Sequence, residues 1–148
     1  MPSISELLYK RSPRNVGPLL AGMPEGIPLC AQVSTAIATN QTVKKICSIA
    51  GYDTLSAKQT YALLQKFGIR VRTLAGAAFA DFHDVHVARF GGHNFKAIAF
   101  INAKPLPDVP LGHAVYIEGT NIFDPETRKW RRMNDADREQ FDYLAVFL

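Results

Sequence analysis

The sequence predicts a single α+β domain, with helices early in the chain and a mainly antiparallel sheet later. Three observations carry this. Between residues 30 and 68 the apolar residues fall into helix-like segments, opened by Thr42 and Ser56 and closed by Asn40, Gly51 and Gly68. After residue 68 the period shortens to two, beginning with the alternation Ile69-Arg70-Val71-Arg72-Thr73-Leu74. The length of 148 residues allows one sizeable core but not two.

Taken in order, residues 1–29 read as a wrapping arm. Pro2, Pro13, Pro18, Pro24 and Pro28 are interspersed with Gly17, Gly22 and Gly26, so only residues 4–10 can hold a helical turn or two. From Cys30 the run CAQVSTAIAT is small and apolar all round and free of Gly and Pro. It predicts a buried helix that starts at or beside Cys30 and stops at Asn40. A second helix runs over 42–50, capped by Thr42 and ended by Gly51. A third has Ser56 as N-cap, Leu63, Leu64 and Phe67 on its inner side and Gly68 as its stop.

The remainder, 69–148, is the sheet part. Within 75–94, His83-Asp84-Val85-His86-Val87 reads as a short strand and Gly91-Gly92 as a turn. A strand at 96–101 and a proline-bearing loop at 104–112 lead to a hairpin of 113–117 and 121–124 around Gly119. A turn at Asp124-Pro125-Glu126-Thr127, a short strand near Trp130 and a last strand in 143–148 complete the chain.

Composition excludes several classes. Hydrophobic residues at 47% and charged residues at 20% match an ordinary soluble globular protein. No apolar run reaches membrane-spanning length, and the start lacks the pattern of a secretory signal, so a cytoplasmic protein is expected, or one delivered by a secretion machine or a virus. The net charge of +4 is spread over Lys44/Lys45, Arg70/Arg72 and Arg128/Lys129/Arg131/Arg132. Only the last cluster interleaves an aromatic, Trp130, so these are read as solvated faces and no nucleic-acid partner is expected. Cys30 and Cys47 are too few for a disulfide framework. As a strand, 83–87 would send His83 and His86 to opposite faces with no cysteine near, so no metal is expected. Trp130 and Tyr116 are read as packing residues, and Cys47, mid-helix, as core.

Chemistry concentrates at Cys30, His113 and Asp124. The thiolate is the nucleophilic form of cysteine, and a helix N-terminus with a nearby imidazole favours it; Cys30 heads the first buried helix. Attack on a carbonyl needs a base within hydrogen-bond reach and a third group to fix that base. A hairpin turn centred on Glu118/Gly119 sets His113 directly opposite Asp124, and a shift by one pair makes them diagonal neighbours on one face.

The stretches PLCAQVSTAIATN, YDTLSAKQTYALLQKFGIRV and GHAVYIEGTNIFDPETRKW together resemble papain-like cysteine peptidases, most closely the bacterial leader-peptidase type found at the front of bacteriocin-exporting transporters. The resemblance spans roughly residues 28–130. It implies a papain-like fold with N-terminal helices packed on the sheet, no cofactor, and a peptide or protein substrate. It also implies roles: Cys30 as nucleophile, His113 as general base and acid, Asp124 as the orienting residue. The chain departs from the family in having Ala31 where glycine usually follows the nucleophile, and Pro24 where a glutamine usually helps to hold the oxyanion. Asn15 in the arm is the expected replacement donor, beside the Cys30 backbone N–H. Two other readings use the same cleft: a non-catalytic domain binding a peptide or partner protein, and a deamidase or transglutaminase-like effector.

Overall fold

The computed structural model describes residues 14–22, 29–90, 95–101 and 113–148. The expected helical turn at 4–10, Pro24, the glycine turn at 91–92, His93 and the loop at 104–112 lie outside the described residues. The order of elements is α1 (Gly17–Leu20), α2 (Cys30–Thr39), α3 (Val43–Ala50), α4 (Ala57–Lys66), β1 (Val71–Ala75), α5 (Gly76–Phe90), β2 (Lys96–Ile101), β3 (His113–Glu118), β4 (Asn121–Asp124), β5 (Lys129–Arg132), α6 (Asp135–Gln140) and β6 (Phe141–Phe147).

The helical part follows its local signals. Asn40 ends α2 in the left-handed conformation, φ 55°, and turns its N–H back to the Ala36 and Ile37 carbonyls. Thr42 Oγ1 accepts the Lys45 N–H at 3.1 Å to start α3. Ser56 and Gln59 form a reciprocal capping box for α4: Ser56 Oγ accepts the Gln59 N–H, and Gln59 Oε1 accepts the Ser56 N–H.

The strands form one antiparallel sheet in the order β1-β6-β2-β3-β4-β5. This is the expected α+β class with an antiparallel sheet. Helices α2 to α4 cover one face, over Ile98, Phe100, Ala114, Tyr116, Phe123 and Ala145. Trp130 and Tyr116 pack there as expected, with ring centroids 6.2 Å apart. The opposite face buries Ala97, Ala99, Val115, Ile117, Ile122 and Leu144 beneath Phe79, Phe95 and Phe141.

One segment differs from expectation. Residues 83–87 are not a strand but the middle of α5. Phe79, His83 and Val87, spaced by four, are all buried, so a helical stripe underlies what looks like a β-branched alternation. Val85, which would have faced the core in a strand, is 55% exposed. The helix leaves β1 without a loop, and this requires Gly76: a Cβ there would lie 1.7 Å from the Phe141 carbonyl oxygen.

The described part of the arm is tied down. Val16 is buried in the core cluster that includes Cys30. The Arg14 guanidinium pairs with Glu118 at 3.2 Å and donates to the Ile37 carbonyl oxygen, and the Trp130 indole N–H donates to the Arg14 carbonyl oxygen at 3.0 Å.

Candidate active site

Cys30 is the first residue of α2, as expected. Leu29 provides no side-chain cap, and the helical ladder begins with the Val33 N–H donating to the Leu29 carbonyl at 2.8 Å. The Cys30 N–H therefore has no intrahelical acceptor. Cys30 is 8% exposed.

His113 opens β3 and Asp124 ends β4. The register pairs Tyr116 with Phe123, Ile117 with Ile122 and Glu118 with Asn121, so the loop is Gly119-Thr120. Gly119 has φ 65°, at the first central position, where a type II′ hairpin turn favours glycine. One pair further, the register carries Asp124 opposite Val115, which makes His113 its diagonal neighbour. Of the two registers that the sequence allows, the structure adopts the diagonal one.

The contact is direct: His113 Nε2 lies 3.1 Å from Asp124 Oδ1. The same carboxylate oxygen accepts the Glu126 N–H at 2.9 Å, closing an Asx turn, and the Asp124 carbonyl accepts the Arg128 N–H at 2.8 Å. Asp124 is thus a turn initiator and a histidine partner at once. With Nε2 taken by the carboxylate, Nδ1 is the ring nitrogen left for Cys30.

The electrostatics agree. The His113 pKa is raised above its usual value, first by a side-chain hydrogen bond with Cys30 and, against the opposing effect of burial, by the charges of Cys30 and Asp124. Three elements distant in sequence therefore bring Cys30, His113 and Asp124 together. Cys47 is separate: it is buried within α3, and burial pushes its thiol up. A carboxylate oxygen of Glu126 also lies within 4.8 Å of the His113 and Asp124 ligand atoms, but those two atoms already bond to each other.

Asn15, the expected replacement donor, bonds its neighbour through its amide oxygen, and its Nδ2 donors take no part in that bond. It is exposed, and its Oδ1 accepts the Gly17 N–H at 3.0 Å at the start of α1. The sequence signal for this is ordinary, an Asx residue two positions before the N–H that it captures. Gln32, not singled out from sequence, is the buried glutamine nearest Cys30 in the chain. Its Nε2 donates to the Asp53 carbonyl at 2.6 Å and the Gly51 carbonyl at 3.3 Å, which fastens α2 to the α3–α4 loop. Both amide protons are spent there, so Gln32 is not an oxyanion donor.

No family model matches the chain, and no curated protein matches it.

Proposed function

We propose that this protein is a papain-like cysteine peptidase or amidase acting on a peptide or protein. The observation that carries this is the convergence of Cys30, His113 and Asp124: His113 Nε2 bonds Asp124 Oδ1 at 3.1 Å, and the Cys30 thiol beside the ring raises the His113 pKa. In the first step the Cys30 proton passes to His113 Nδ1 and the sulfur adds to the substrate carbonyl carbon. The oxyanion that forms lies within reach of the Cys30 N–H, which has no intrahelical acceptor. The imidazolium then protonates the leaving amine as the C–N bond breaks, giving a thioester. Water, deprotonated by His113, releases the acid and restores the thiol. Replacing water by an amine gives transglutamination, and a glutamine side chain as substrate gives deamidation.

The commitment of both Gln32 amide protons to backbone carbonyls favours a second reading, a binding domain with the same cleft and little turnover. Mass spectrometry after incubation with an epoxysuccinyl inhibitor and with a peptide library separates the two. The enzyme reading expects a covalent adduct at Cys30 and cleaved or deamidated peptides, with turnover lowered ~10²–10⁴-fold by His113→Ala. A thiol alkylated at an ordinary rate, indifferent to His113→Ala, overturns it.

A further inference from the structure

The hairpin that carries His113 and Asp124 at one end closes, about 20 Å away along β3, beside a second polar feature. His83, 1% exposed on α5, shares a 2.8 Å hydrogen bond between its Nε2 and the Gly119 carbonyl oxygen. A carbonyl only accepts, so the proton sits on Nε2 and Nδ1 presents a lone pair. Burial, which holds the His83 pKa below the usual value, keeps the ring neutral in the same sense. His83 Nδ1, Thr120 Oγ1 and Arg138 Nε are all buried, and none has a hydrogen-bond partner among the described residues. All three residues line one cavity of about 400 Å³, together with Arg132, Asn134 and Asp135.

Buried polar atoms in native proteins are nearly always paired, with protein or with ordered water, so three lining residues that each carry an unpaired polar atom mark this space as suited to a hydrogen-bonding occupant. The lining also fixes its chemistry. One part offers acceptors, His83 Nδ1 and the Asp135 carboxylate; another offers donors, the Arg132 and Arg138 guanidiniums and the Thr120 hydroxyl. Asp84 holds Arg138 Nη1 at 3.1 Å, while Nε stays without a partner. A simple anion satisfies the arginines but meets Asp135, and a simple cation meets the arginines.

We propose that this cavity binds a small zwitterion, a free α-amino acid, with its ammonium between His83 and Asp135 and its carboxylate among Thr120, Arg132 and Arg138. The site is independent of the chemistry at Cys30.

Ring-nitrogen NMR of the full chain tests this directly. Titration with L-leucine, L-serine and L-glutamate should move the His83 Nδ1 resonance saturably for at least one of them. Acetate, methylammonium and inorganic phosphate should each bind at least tenfold more weakly. Thr120→Val removes a hydroxyl that has no partner among the described residues, so it should fold as well as the parent yet bind at least fivefold more weakly. Arg132→Gln should weaken binding similarly, and Cys30→Ser should leave it unchanged. No response to any amino acid, equal binding of acetate or phosphate, indifference to both Thr120→Val and Arg132→Gln, or loss of binding in Cys30→Ser overturns the proposal.

Discussion

His113 and His83 are held in opposite senses, and this gives a prediction at the scale of single residues. His113, beside the Cys30 thiol and bonded to Asp124, has its pKa raised on folding; His83, buried beside the Gly119 carbonyl, has its pKa lowered. An unfolded histidine titrates near about 6.5. The His113 contribution to stability is therefore fully present below that value and is lost as pH rises through the folded value. The His83 contribution is present above about 6.5 and is lost as pH falls toward the folded value. In the parent the two slopes oppose each other. Glutamine at 83 can still donate to Gly119 but does not titrate, so His83→Gln should move the pH of maximum stability toward acid. His113→Asn should move it toward alkali. Urea midpoints measured at several pH values between 5 and 8 decide this, and unchanged slopes in both variants would refute it.

At the scale of elements, the junction between β1 and α5 is the least forgiving point in the fold. The Cβ of Gly76→Ala would overlap the Phe141 carbonyl, so β6 or the start of α5 must move. The expected cost is about 1–3 kcal/mol or more, read as a lower urea midpoint. A substitution within about 0.5 kcal/mol of the parent would show that the junction is loose. This element is also the one that the sequence conceals. Caps announce α3 and α4, because Thr42 and Ser56 each hydrogen-bond a backbone N–H three residues on. No such cap marks α5, which starts straight from a strand, and its inward stripe includes His83, a residue that pattern reading counts as polar. The site shows the same division. Cys30 at a helix head and His113 and Asp124 at strand ends are legible because each sits at a boundary with its own signal. The hairpin register is not, since it depends on whether the loop begins at Glu118 or Gly119. Nor are the partners of Gln32, which are set by backbone carbonyls distant in sequence that no side-chain pattern reports.

At the scale of the whole molecule, Arg14 links parts that share no sequence neighbourhood. Its guanidinium bonds Glu118 at the end of β3 and the Ile37 carbonyl near the C-terminus of α2, while its own carbonyl accepts from Trp130 on β5. Tyr116 adds to this by donating to Glu118 at 2.9 Å, and burial together with that carboxylate pushes its phenol far up, so it stays protonated. Removing Arg14 leaves Glu118, 19% exposed, with the tyrosine but without its counter-charge. A double-mutant cycle of Arg14→Met and Glu118→Gln should give a coupling energy within the usual ~0.5–3 kcal/mol for contacting residues, nearer the lower end because Arg14 is 34% exposed. Among the described residues the strap also meets the site through the core: Val16 and Leu29 are both buried in the cluster that contains Cys30. Arg14→Met should therefore lower the urea midpoint while the His113 pKa, followed by NMR, stays above that of a free histidine. If the raised pKa disappears along with the stability, the arm aligns Cys30 with His113, and the wrapping segment belongs to the site as much as to the scaffold.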